Sequence, residues 1–493
     1  MGEKLTIKVI GDAVIDPTFG TGAVGVTPAH SVIDAEIAMR HNLKTKQVIN
    51  KYARIEIKNS SFNGLKTKEA RNVILEQLKK ENLLIKTEKI KQNISKAERT
   101  NGVIEPLPML QWFIAVDKEF TFPHSSLSFI KKGEKTTLKK LMKVAVAQKE
   151  INIIPKRFEK IYFHWIDNLH DWCISRQIWF GHQIPVYYFN NKKITIGKKP
   201  IKGNWEQDPD TLDTWFSSAL WTFSTMGWPK VKPIKNKMGP DNDLANYHPT
   251  TVLETAYDIL FFWVARMILM TTTVFGDIPF KNVFIQGLVR DEKGRKMSKS
   301  LGNSIDPIEI AEQYGTDALR MSLIIGASPG TDTRVSIDKI KAQKHFANKI
   351  WNATRFVLSI MPDNTEELNK IINNNISLLP KDKEYEKKLT NHIKDITKDI
   401  KNFRLYMASE KIYHYFWHTF ADIIIEESKN IINTGTSKER LSATQNLYNQ
   451  LVLQLKIIHP FMPFLTEEIW SIIPKNKQCK DLLLIENWPI KEK

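Results

Sequence analysis

Cysteine is almost absent: Cys173 and Cys479 are the only thiols in 493 residues, which excludes a disulfide framework and any CxxC zinc knuckle. Such usage fits a reducing cytoplasm. Long apolar runs are also lacking. The opening MGEKLTIKVIGDAVID has no signal-peptide core, and the most hydrophobic window, Ile259 to Met270, is short for a membrane span and is broken by Arg266. A soluble chain is expected. Acidic residues are in deficit, with 54 Asp+Glu against 72 Lys+Arg and a net charge of +18. The 42% of apolar residues nevertheless excludes disorder. A polyanionic partner is one reading of that charge, and a lysine-decorated surface is the other.

At roughly 150 residues per domain the chain has room for about three domains. The first hundred residues predict a small α+β unit, with β-type runs at 5–11 and 53–59 and an amphipathic helix from Lys68 to Asn82. From Glu105 to about Ile325, apolar strands such as the one from Asn282 to Val289 alternate with helical stretches, an α/β rhythm. Beyond Ala342 glycine and proline thin out and helical spacing takes over, with Phe403, Met407, Ile412, Phe416 and Phe420 on one side of a helix. Residues from Pro362 to about Glu386 read as a connection, and Thr466 before Glu467 and Glu468 as a helix N-cap.

Two motifs invite chemistry. Gly20, Gly22 and Gly25 match GxGxxG, but Asp16-Pro17-Thr18-Phe19 precedes them where a buried strand is needed, and Pro28 follows where a helix should begin. A tight turn is the better reading. Lys296-Met297-Ser298-Lys299-Ser300 follows an apolar strand and the charged turn Arg290–Gly294, with Gly294 and Gly302 as flanking hinges. Two ammonium groups on a loop at a strand's end can neutralise charge building on a departing pyrophosphate.

At KMSKS the sequence resembles the class I aminoacyl-tRNA synthetases, and the likeness extends along the chain. DWCISRQ (Asp171–Gln177) resembles a segment shared by valyl and isoleucyl enzymes, while LDTWFSS (Leu212–Ser218) and the segment Asp258–Arg266 are similar to the valyl type. Phe346–Arg355 and His459–Trp470 resemble the helical anticodon-binding domain, and Thr27-Pro-Ala-His30 with Arg40–Leu43 resembles the latter half of an editing domain. The resemblance implies α/β plus all-α architecture: a partial editing domain at 1–103, the C-terminal half of a Rossmann-like catalytic domain at 104–341, and a helical anticodon-binding domain at 342–493. It assigns Lys296 and Lys299 to catalysis within the ATP-binding loop Lys296, Met297, Ser298, Lys299 and Ser300. Trp215, Asp258, Ile259 and Trp263 become the valine pocket, two indoles and a branched aliphatic beside a carboxylate for the substrate ammonium. Thr27 and Asp34 fall at editing positions. Lys349, Arg355, Arg404 and Lys411 are candidates for the tRNA backbone, where phosphate contacts position without reading sequence.

Some of the family pattern is missing. No HxGH, the family's first signature, occurs in the sequence. The first half of the catalytic sheet is therefore expected to be absent, and the isolated chain is expected not to activate valine. Gln286 stands where a His is usual, Ala256 where a Gly is usual, and Gly25 and Ser31 where editing enzymes carry Lys and Asp. The zinc-type cysteines of some members are absent between Tyr188 and Asp208, so no zinc is expected. The implied reaction uses ATP with Mg2+, valine and tRNA(Val), with a separate N-terminal half as a possible partner. A catalytically inactive tRNA-binding descendant and an isoleucyl enzyme are the alternatives.

Overall fold

The structure is a computed structural model that describes residues 7–18, 20–89, 91, 93–97, 100–124, 127–190, 193–230, 242–297 and 302–490. It divides into two units, Met1–Trp112 and Phe113–Lys493. The first unit has little to bury: among its described residues Ala29, Ile37, Ala38 and Ala70 are the buried apolar side chains. Its helices Val32–Arg40 and Thr67–Lys80 start on local caps. Ser31 Oγ accepts from Asp34 N, and the Glu69 carboxylate accepts from Lys66 N. The strands expected at 5–11 and 53–59 do not form among the described residues. The second run makes only isolated bridges, Ile49 to Ile55 and Arg54 to Lys66, and Ile7 and Val9 are exposed. A strand needs a paired edge and a covered face, and this unit supplies neither. Gly20 and Gly22 adopt φ of +60° and +71° in a turn, and no helix follows until Val32.

The second unit is built on a parallel sheet in which Phe280–Gln286 lies between Thr250–Ala256 and Asn152–Ile154. Phe280, Val283 and Ile285 are fully buried, and the alternation of Val283 and Ile285 on one face pins the register of this middle strand. The strand ends at Gln286 and not at Val289. Val289–Arg290 pairs instead with Thr333–Arg334, because a strap of chain crosses at Gly287. A Cβ on Gly287 would stand 1.9 Å from Thr331 O. Helices Leu138–Ala147 and Arg157–Asp167 share the core with the sheet. Residues Tyr257–Val274 form one continuous 18-residue helix, by length and composition sufficient to cross a membrane and longer than the apolar window suggested. It is a core element of this unit, with Val264, Ala265, Met267 and Ile268 fully buried.

The chain then turns all-helical. Ser336 Oγ accepts from Lys339 N and starts the long helix Ile337–Ser359, which runs through the boundary expected at 341/342. Thr365–Ile372 is helical inside the stretch expected to be a connection, because the Asn364 side chain caps it by accepting from Glu366 N and Glu367 N. Pro380–Lys401, Leu405–His414, Glu426–Thr434, Ser437–Ile458 and Pro463–Ile472 complete the bundle, whose core includes Phe346, Ile393, Phe416, Phe420, Leu451 and Trp470. Phe403 is not on that helix face. It occupies a turn at φ +59°, and its ring stacks 5.9 Å from Phe284 of the middle strand. Nor is Thr466 an N-cap. It lies within the helix, buried, with Oγ1 donating to Met462 O, while Asp317 accepts from Leu465 N at 2.6 Å and caps the helix from across the interface.

One titration follows from the bundle. The His392 ring stacks 4.6 Å from Tyr415, its Nε2 lies 3.1 Å from Lys411 O, and burial holds its pKa below the ordinary value. A base whose folded pKa is lowered takes up its proton more readily when unfolded. Its contribution is therefore complete above the unfolded value, about 6.5, and is lost as pH falls below it. Urea unfolding is expected to show a smaller loss of stability between pH 7 and pH 5 in H392F than in the wild type; parallel curves would refute this.

Candidate active site

The site lies at the carboxyl edge of the parallel sheet, where ligands bind in open α/β folds. Ala256 and Gln286 end adjacent strands in register. Beyond Ala256 the chain makes a 3-10 turn, Tyr257–Ile259, and then a π-helical segment, Leu260–Ala265. Such wide turns are uncommon and recur at functional sites. Asp258 is exposed on the turn, and Ile259 and Trp263 beside it are half-buried. Trp215 comes from the short helix Thr214–Ser218 and stacks on Phe262 at 6.0 Å, while Trp263 packs against Trp221 at 6.1 Å. The four predicted pocket residues thus come from two neighbouring elements, but each indole has a different aromatic neighbour.

Asp213, for which the sequence suggested no role, organises this region. Its nearly buried carboxylate accepts from Trp172 Nε1 at 3.1 Å and from Arg176 Nη2 at 3.0 Å, and Arg266 Nη1 lies 3.6 Å away. The other oxygen accepts from Trp215 N, starting the helix that carries this indole. The Arg266 guanidinium lies 4.2 Å from the Trp172 ring centre, and burial lowers its pKa to about 10 despite Asp213. A cavity of about 540 Å3 opens beside this cluster, lined among others by Trp165, His170, Trp172, Arg176, Phe261 and Arg266. None of Trp215, Asp258, Ile259 and Trp263 lines it.

Of the lysine loop, Lys296 and Met297 are described, and Ser298, Lys299 and Ser300 lie outside the described residues. Lys296 is exposed and bridges Arg290 through the backbone; Met297 packs with the small cluster around Ile310, Ala318, Val335 and Ile340. Asp291 shapes the preceding turn. It accepts from Arg295 N, Arg295 Nε and Asn303 Nδ2, and these bonds, that of Asn303 foremost, lower its pKa to about 2. Gly294 and Gly302 both sit at positive φ, which turns of this kind require.

Elsewhere the predicted residues have specific partners. Thr27 donates from N and Oγ1 to Asp34 Oδ2, at 2.7 and 3.0 Å. Lys349 pairs with Asp422, and Arg404 and Lys411 both pair with Asp399, whose side chain is 2% exposed. Arg355 is exposed along a shallow depression with Asn352 and Ser359. Three of the four candidate tRNA contacts are therefore already engaged within the bundle. Sequence spacing carried no signal of those partners, which come from other elements.

A parallel sheet with its site at the carboxyl edge, a lysine loop beyond the middle strand and a helical bundle after it define the class: an α/β catalytic-type unit joined to an all-helical domain. The chain belongs to the class I tRNA synthetases of the I, L, M and V group, whose family model matches residues 64–202 and 192–336. A second model, the anticodon-binding domain of tRNA ligase, matches residues 382–493. Among curated relatives, the valine–tRNA ligase of Clostridium tetani is 41% identical over 98% of this chain and 52% of its own length. That of Pseudothermotoga lettingae is 40% identical over the same shares. The chain spans about half the length of these relatives. A solved structure of Mycobacterium tuberculosis methionyl-tRNA synthetase bound by methionyl-adenylate superposes with a TM-score of 0.54 at 18% identity, covering 70% of this chain and 64% of that one. That likeness supports the fold.

Proposed function

We propose that this chain supplies the lysine loop, the valine pocket and the anticodon-binding part of a valine–tRNA ligase, and that it acts with the remaining half of such an enzyme. The observation that carries this reading is about 40% identity to valine–tRNA ligases over 98% of the chain. Under it, residues 1–103 are a partial editing domain, 104–341 half of the catalytic domain and 342–493 the tRNA-binding bundle. The Asp258 carboxylate pairs with the ammonium of valine, and Trp215, Ile259 and Trp263 enclose the isopropyl group. The valine carboxylate attacks the α-phosphorus of ATP, supplied as its Mg2+ complex. The bond to pyrophosphate breaks, and Lys296 and Lys299 stabilise the charge that builds on that leaving group. A ribose hydroxyl at the 3′ end of tRNA(Val) then takes the valyl group and releases AMP. Arg355, exposed and basic, is the best placed of the four candidate residues to meet the tRNA backbone. Thr27 and Asp34, already bonded to each other, fall at editing-site positions. Work in translation would place the protein in the cytoplasm, in keeping with its two cysteines, which form no disulfide.

The test is valine-dependent ATP–pyrophosphate exchange. The chain alone is expected to show none, and addition of the complementary half of a valine–tRNA ligase is expected to restore it for valine over isoleucine. Exchange by the isolated chain would overturn the need for the remaining half. A reconstituted enzyme that binds tRNA but exchanges with neither amino acid would overturn the catalytic reading.

A further inference from the structure

One carboxylate joins the two parts of the site, and no motif announced it. Asp332 lies on the strap that crosses at Gly287. Its oxygens accept from Tyr257 Oη at 2.9 Å, from Leu288 N at 2.9 Å and from Arg290 Nε. Tyr257 directly precedes Asp258 at the end of one strand, Leu288 follows the end of the next, and Arg290 opens the hairpin that leads to Lys296. The three donors therefore come from the amino-acid turn, the strand exit and the loop base. Around this point the fit is close. A Cβ on Gly287 would meet Thr331 C at 2.1 Å and Asp332 N at 2.5 Å, and one on Gly330 would meet Phe158 at 2.3 Å. Phe158 in turn stacks on Tyr257 at 6.2 Å, and Arg157 Nη2 donates to Pro329 O at 2.7 Å. Backbone bonds run on from the carboxylate, Thr333 N to Leu288 O and Val335 N to Arg290 O.

We propose that Asp332 is a positioning residue that sets the base of the Lys296 loop, residues 288–297, at a fixed offset from the Asp258 turn. The inference rests on the proposed function in assigning amino acid to one end of this strut and ATP to the other. The charge state suits that role. Burial would raise the Asp332 pKa, but the Leu288 amide, Arg290 and Tyr257 outweigh it and hold the carboxyl below its usual value. Asp332 does not touch the reacting atoms; it acts through Tyr257 and Arg290.

Two measurements test this on wild type, D332N, D332A and G287A, with urea unfolding as the control for general damage. In the purified 493-residue chain, tryptic cleavage after Arg295 and Lys296, resolved by mass spectrometry, is expected to rise about ten-fold in D332A, the usual scale for losing a charged hydrogen bond. G287A, which retains the carboxylate but pushes away the strap that carries it, is expected to do the same, and D332N less. In the enzyme reconstituted with its complementary half, D332A is expected to raise KM for ATP about ten-fold while KM for valine stays put. Unchanged cleavage in D332A, or a parallel rise of both KM values, would overturn the strut. If the wild-type reconstituted enzyme shows no exchange, the functional reading fails, and the cleavage rates alone still decide whether Asp332 positions the loop.

Discussion

Replacing Asp213 with alanine is expected to lower the unfolding free energy by about 3–5 kcal/mol, the usual cost of removing one partner from a buried charged pair. The Asp213 side chain is 7% exposed and that of Arg266 11%. Without the carboxylate, Arg266 remains packed against Trp172 with no counter-charge, Trp172 Nε1 loses its acceptor, and the Trp215 helix loses its first bond. Urea titration followed by tryptophan fluorescence measures the loss directly. D213N keeps the shape and one acceptor and is expected to lose less. The double variant D213A/R266M is expected to regain part of the deficit, because an apolar side chain in that slot has no charge to leave stranded. A D213A protein within about 1 kcal/mol of wild type, on the scale of an ordinary surface substitution, would show that the cluster is peripheral.

The second large effect is on rate. In the reconstituted enzyme K299A is expected to lower kcat for valine-dependent exchange by about 10²–10³, the range seen when one preorganised donor to a developing charge is removed. KM for valine should hardly move, since Lys299 would act on the departing pyrophosphate and not on the amino acid. K296A is expected to act in the same direction. Lys296 also keeps the bridge to Arg290 through its backbone, which alanine preserves, so its variant separates the ammonium from the loop geometry. Equal loss of affinity for valine in K299A would place the lysine in ground-state binding and contradict its action on the leaving group.

How far the site was legible depended on how its residues are strung along the chain. KMSKS, LDTWFSS and the Asp258–Arg266 segment are contiguous, so residue type and spacing carry their chemistry openly. The helix expected from Lys68 to Asn82 appears as Thr67–Lys80, again because a local pattern decided it. Asp332 stood in the same sequence without a mark on it, and Asp213, although it lies inside LDTWFSS, gave no sign of its partners. Asp332 reaches Tyr257 across 75 positions and Leu288 across 44, and Asp213 reaches Trp172 across 41. The ion pairs of the candidate tRNA residues were equally hidden: Lys349 meets Asp422 73 positions away, and no local pattern advertises that pairing. Thr466 had the look of a helix start, yet the helix begins earlier, at Pro463, and Asp317 from 148 positions before takes the amide of Leu465 in its first turn.

By itself the sequence determined the α/β and helical parts, the family they belong to, and a set of candidate lysines, indoles and a carboxylate. The parts follow from periodicity, and the family and its candidate residues from the resemblance of contiguous motifs, both of which are properties of neighbouring residues. Only the tertiary structure decided which charges are spent inside the fold and which remain for a ligand. It closed Asp399 over Arg404 and Lys411, left Lys296 exposed, and drew the Asp258 turn and the loop base onto Asp332. The reason is energetic. A buried polar group must find a partner wherever the packed chain brings one, and that choice is made by three-dimensional proximity and desolvation, not by distance along the sequence.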